Sequence, residues 1–390
     1  MMKSKMTITA VLLLGLLPLF SQNRGVLWNE NLRKPTDTLA FERIITSLNH
    51  FLNLKDNEND KNTFVLESQK ETTFILLDEM KNVERNEKLN DNFFYKPYLI
   101  NIVKQNDSEY LLQIAYLGNN ENTPQLKAQF NLIAHQNNDI FLFSSPFLKN
   151  IKNWKQIQMD KTQFIYENSI NVKRVKQYMK LATLFDKKLK ISDKETTFYC
   201  CNTAFDFLNL IGVSYKLDYN GRNEGIWSIV FTNKKLIFLA NQNSQFDYFD
   251  PHDLWHDRLS LIISRSKINK PVDEGCAYLY GGSWGLSWDE IFRAFLDQVA
   301  IDSKMDWKKI KEERFNFKTK DYNNSADYIV NALLVKKIEK EKGFEGVWEL
   351  LNVGPSEAGN EKYYKTLEKL TGITKENYNE KIWELINNEK

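Results

Sequence analysis

Asp250-Pro251-His252-Asp253-Leu254-Trp255-His256, followed by Pro271-Val272-Asp273-Glu274-Gly275-Cys276-Ala277, is the stretch that decides the reading of this chain. The chain has only 4 histidines, and two of them stand here four residues apart. On a helix, residues i and i+4 share a face. Asp250 is a good N-cap and Pro251 suits the first helical position, so a helix opening at Pro251 is expected. Two imidazoles so placed can hold one metal ion, and a carboxylate from a second helix can complete the set. Glu274 is the expected third ligand, and Pro271 the start of its helix. The small residues Gly275 and Ala277 are expected to let that helix approach the first. The positive end of the first helix is expected to keep both histidines neutral. The common form of the pair is H-E-x-x-H. Here Asp253 replaces that Glu.

Each residue also has a plain structural reading. His252 and His256 fall on the same arc as Leu259 and Ile263, so they could be core histidines with local hydrogen bonds. An acidic residue such as Asp253 is favoured in a first helical turn by the helix dipole.

Working outward, 390 residues with 42% hydrophobic and 13% aromatic content exceed the usual prior of ~100–200 residues per domain. Two domains are expected. The net charge of +2, with acids and bases interleaved, leaves no nucleic-acid footprint. Residues 1–22 read as a signal peptide: Lys3 and Lys5, then an apolar run from Thr7 to Phe20 that is short for a span. Export to periplasm or medium follows, with no later membrane span. Cys276 could then pair with Cys200 or Cys201, or all three could be buried thiols.

Residues 23–150 read as a small α+β domain. Phe41, Ile44, Ile45, Leu48 and Leu52 make one helical stripe. Thr63–Leu66, Thr73–Leu77, Tyr98–Val103, Tyr110–Tyr116, Lys127–Ala134 and Ile140–Phe143 read as strands between polar turns. This layout resembles the cone-shaped domains of the nuclear transport factor 2 and cystatin kind. Ser144-Ser145-Pro146 marks the expected boundary. Residues 151–390 read as a β-rich lobe, with strands at Gln163–Tyr166, Thr196–Cys200, Ile226–Phe231 and Lys235–Leu239, followed by a helical lobe. Ser287-Trp288-Asp289-Glu290 is a capping box, and Gly343 is expected to stop a helix that begins near Ser325.

His252-x-x-x-His256, the 17-residue gap and Asp273-Glu274-Gly275-x-Ala277 resemble the gluzincin metallopeptidases, above all the exported peptidase-MA-like group. Tyr322 to Gly343 and Thr371-Gly372-Ile373-Thr374 to Trp383 are similar to later segments of that group, in the same order. The resemblance implies a zincin-like second domain that hydrolyses peptide bonds. It implies Zn2+ held by His252, His256 and Glu274, with Asp253 as base. Tyr322 is the first candidate for an oxyanion-stabilising tyrosine, with Tyr278 and Tyr280 as others. The partner would be a peptide or protein substrate. The alternative is a peptidase-fold protein with impaired or lost catalysis that binds a peptide or protein partner, because an Asp carboxylate stands one methylene further from the water.

Overall fold

The computed structural model describes residues 25–301, 304–313, 315–319 and 322–389. The expected signal peptide lies outside them. The chain is mixed α+β and forms two compact units: residues up to Asn150 with Leu208–Asn220, and Ile151–Phe207 with Gly221 onward.

In the first unit the elements are β1 (Leu27–Trp28), α1 (Thr38–Leu54), α2 (Lys70–Met80), β2 (Lys96–Lys104), β3 (Glu109–Asn120), β4 (Thr123–Asn137), β5 (Ile140–Ser144) and the short α3 (Phe147–Asn150). The strands lie in the order β1-β2-β3-β4-β5, and a later strand, Val213–Lys216, also pairs β4. Asp37 caps α1 by accepting from the Ala40 amide at 2.9 Å. The buried stripe of α1 contains Phe41, Ile44, Ile45, Leu48 and Leu52, with Phe51 added. Alternation along β4 buries Phe130, Leu132 and Ala134 completely.

Two expected strands are not strands. Thr73–Leu77 lies inside helix α2. Thr72, Thr73, Ile75, Leu76, Leu77 and Met80 are all buried there, so no amphipathic period was present to read. Thr73 Oγ1 donates to the Gln69 carbonyl at 2.8 Å, a bond that lets a β-branched residue sit in a helix. Thr63–Leu66 is irregular chain, and Val65 makes a single bridge to Phe143.

The second unit begins with β6 (Lys155–Met159), β7 (Thr162–Tyr166), α4 (Val172–Leu189) and β8 (Glu195–Cys200). Helix α5 (Ala204–Ile211) leads to β9 (Val213–Lys216), the strand on β4 already described. Then come β10 (Gly225–Val230) and β11 (Lys234–Ala240). The five-stranded sheet runs β10-β11-β8-β7-β6, parallel between β11, β8 and β7 and antiparallel at both edges. Two helices follow that build the site, α6 (Pro251–Leu259) and α7 (Lys270–Gly281). Next are α8 (Trp288–Ile301), α9 (Trp307–Glu313), the hairpin β12 (Asn316–Thr319) and β13 (Tyr322–Ser325), α10 (Ala326–Leu351), α11 (Glu361–Thr371) and α12 (Tyr378–Asn388). The capping box forms as expected, with the Ser287 amide and hydroxyl both donating to Glu290 at 2.9 Å. Gly343, at φ 70°, breaks the regular backbone within α10.

Cys200, Cys201 and Cys276 are free and buried, so neither pairing with Cys276 is made. Burial pushes the Cys200 thiol up to about 12 and the other two well above their ordinary value. No described helix is long and apolar enough to cross a membrane.

Candidate metal centre

Helix α6 is only 9 residues long, too short to persist alone in water. Its cap and its packing hold it. Asp250 accepts from the His252 amide at 2.9 Å, so the helix starts securely one residue before its first histidine. On the far side, Arg258 grips Asp186 of α4 through two bonds, 2.6 and 2.7 Å, and donates to Thr196 Oγ1 at 2.9 Å. Lys235 of β11 reaches Asp257 at 2.7 Å. Trp255 is fully buried and packs edge-on against Phe185 with ring centroids 5.5 Å apart. Such a ring pair adds ~0.5–1.5 kcal/mol to the burial itself. The helix ends at Leu259, so Ile263 is not part of its face.

Helix α7 is set by glycines. A Cβ on Gly281 would stand 2.5 Å from the Pro251 carbonyl carbon and oxygen, so this glycine brings the end of α7 onto the start of α6. A Cβ on Gly275 would stand 2.8 Å from the Ala332 amide nitrogen. Gly275 therefore allows close approach to α10. The expectation that it serves the approach to the histidine helix is corrected, because Gly281 does that.

His252, His256 and Glu274 come together, their ligand atoms all within 4.8 Å of one another. His252 Nε2 and His256 Nε2 are 3.2 Å apart, and Glu274 Oε2 lies 3.3 Å from the first and 3.6 Å from the second. A tetrahedral zinc with bonds of ~2.0–2.1 Å needs its ligand atoms ~3.3–3.4 Å apart. The point in their plane equidistant from these three atoms lies about 2 Å from each. The spacing of His252, His256 and Glu274 thus fits the donor set a zinc ion would need.

The other ring nitrogens are already committed. His252 Nδ1 donates to the Gly282 carbonyl at 2.8 Å, and His256 Nδ1 donates to Asp273 Oδ1 at 2.9 Å. With both rings neutral, as ligation requires, both Nε2 atoms would point lone pairs at the same spot as a carboxylate oxygen. Three acceptors so close need a cation or a proton between them. Burial disfavours charge on His256, but hydrogen bonds to Asp273 and Glu274 outweigh it and push its pKa up to about 9. Burial would raise Glu274, yet hydrogen bonds to both histidines pull it well below the carboxylate range. Without a metal, the two adjacent acids thus favour the protonated His256 ring.

Asp273 and Arg265 carry weight that the sequence reading did not give them. Asp273 is fully buried and accepts from His256, from Trp255 Nε1 at 3.1 Å and from Arg265 Nε at 2.8 Å. Arg265, in a one-turn 3-10 helix (Arg265–Lys267), also donates from Nη2 to Glu274 Oε1 at 2.8 Å. A carboxylate behind a ligating histidine is the usual second layer of a metal site. The signal for Asp273 was its place next to Glu274 in sequence. Arg265 gave none.

Asp253 stands outside the three-residue cluster, exposed on the first turn of α6. Desolvation of its carboxylate, with repulsion from Asp250, raises its pKa. Tyr322 opens β13 and lies flat against Trp284, ring centroids 5.4 Å apart and planes 3° apart. No described contact joins Tyr322 to the three clustered residues. Tyr280 donates to Glu339 at 2.7 Å. Tyr278 is the tyrosine at the cluster, its ring 5.6 Å from that of His252, with burial pushing its hydroxyl up to about 12.

Comparisons with family models, with curated proteins and with solved structures returned no match.

Proposed function

We propose that the second unit is a zincin-like metallopeptidase of an exported protein, in which His252, His256 and Glu274 hold Zn2+. The observation that carries this reading is the triangle of 3.2, 3.3 and 3.6 Å between two imidazole nitrogens and one carboxylate oxygen. Held by these residues, zinc would lower the pKa of a bound water to ~7 and polarise a carbonyl. Asp253 would serve as the base, taking a proton from that water and returning it to the leaving amine. Tyr278, beside His252, is placed better than Tyr322 to steady a developing oxyanion. The substrate is a peptide. β10 is an edge strand that exposes Ile226 and Val230, and an extended chain can add to such an edge. In the first unit, the long helix α1 with a largely antiparallel sheet, joined by α2, supports an accessory domain of the nuclear transport factor 2 and cystatin kind.

One observation favours a second reading, a protein that binds a peptide without cleaving it. Asp253 is a short carboxylate outside the cluster. A peptide-library or casein assay on zinc-loaded wild type, Asp253→Ala and Asp253→Glu decides. Cleavage by wild type that Asp253→Ala lowers ~10²-fold or more supports the enzyme. Cleavage by Asp253→Glu alone supports the non-cleaving reading.

A further inference from the structure

The Arg265 side chain is 41% exposed, while the groups it holds are buried. Its Nε donates to Asp273 Oδ2 and its Nη2 to Glu274 Oε1, both at 2.8 Å. Nη2 also lies 3.5 Å from His256 Nε2. Asp273 and Glu274 are consecutive on α7, so their side chains leave the helix about 100° apart. One planar guanidinium bridges them nonetheless. Together with the bond from His256 to Asp273, this closes a ring: His256, Asp273, Arg265, Glu274 and back to the ligand atoms.

The ring has a consequence for Glu274. A carboxylate free to turn can offer both oxygens to a metal. Here Oε1 is engaged by Arg265, and Oε2 alone faces the two Nε2 atoms at 3.3 and 3.6 Å. We propose that Arg265 is a positioning residue that makes Glu274 a one-oxygen ligand and so keeps the metal four-coordinate, with one position for water. This rests on the metal reading above. Charge neutralisation alone does not need the bridge, since any cation nearby would serve. A lysine keeps the charge but is a point donor and cannot hold two carboxylates in one plane.

The test uses the whole chain as wild type, Arg265→Lys and Arg265→Gln, each checked for wild-type circular dichroism. Co2+ is the probe, because four-coordinate Co2+ absorbs visible light more strongly than five-coordinate Co2+. Zinc affinity is measured beside it by competition with a chromophoric chelator. Expected are a strong four-coordinate band in wild type, a weakened band in both variants, and zinc binding ~10–100-fold weaker in both, the usual cost of losing a second-layer group. If Arg265→Gln does not fold, Arg265→Lys decides on the same readings. Wild-type spectra in the variants, with zinc affinity within about twofold, overturn the positioning role while leaving the metal site standing. Tighter zinc binding by Arg265→Gln also overturns it, since Arg265 would then be a competitor of the metal. No Co2+ uptake by wild type removes both readings.

Discussion

Replacing Asp273 by Asn exchanges one oxygen for an NH2 group and removes one charge, and the structure gives the consequence. Asp273 accepts three bonds, two at Oδ1 from His256 and Trp255 and one at Oδ2 from Arg265. Asn keeps one acceptor oxygen. If it stays towards His256 and Trp255, its NH2 faces the Arg265 N–H, donor against donor. If it turns, His256 and Trp255 lose their acceptor. Either way a buried charge-assisted bond is lost, worth ~1.5–3 kcal/mol. That energy corresponds to about 10–100-fold, which matches the usual effect of second-layer carboxylates on metal affinity. The assay is zinc affinity by chelator competition on wild type and Asp273→Asn, with thermal unfolding of both. Zinc binding should weaken ~10–100-fold. An affinity within twofold of wild type, in a folded variant, refutes the claim that Asp273 orients His256.

The remaining predictions are brief. Metal-free protein should lose stability as pH rises from ~6.5 towards 9, because the raised pKa of His256, about 9, stabilises the fold only while the ring is protonated. Zinc displaces that proton, so zinc-loaded protein should show no such slope, and zinc affinity should climb about tenfold per pH unit up to that pKa; unfolding curves across pH test both. Gly282→Ala should destabilise by ~2–4 kcal/mol, because Gly282 has φ 78° and an added Cβ would meet the Leu286 carbonyl oxygen at 1.9 Å. The same change moves the carbonyl that holds His252, so zinc affinity should fall with melting temperature. A thiol reagent should label none of Cys200, Cys201 and Cys276 quickly in the native chain and all three in denaturant, since all are buried.

What the sequence disclosed was local. His252 and His256 could be placed on one face because i and i+4 spacing and the cap at Asp250-Pro251 need no tertiary knowledge. The meander of β2 to β5 was legible from alternation and polar turns. Thr73–Leu77 was not, because a helix buried almost all round has no period, and Thr-Thr-Phe-Ile favours a strand by composition. Val213–Lys216 returning to β4 is a pairing between distant segments, and four residues carry too little pattern to announce it. Tyr322–Ser325 was read as the approach to a helix, but it pairs with Asn316–Thr319 as a hairpin. The same limit hid Arg265. Where a turn aims its side chain depends on the path between α6 and α7, which periodicity does not encode. Gly281 and Gly282 look like any turn glycines until the backbone they meet is known.

The central claim is that His252, His256 and Glu274 are metal ligands, and zinc content tests it most directly. Wild type, His256→Ala and Glu274→Ala would be stripped of metal, reloaded with a small excess of zinc, passed over a desalting column and analysed by mass spectrometry. The account predicts about one zinc per wild-type chain and little in either folded variant. A wild-type chain that retains no zinc, or variants that retain as much as wild type, contradicts it.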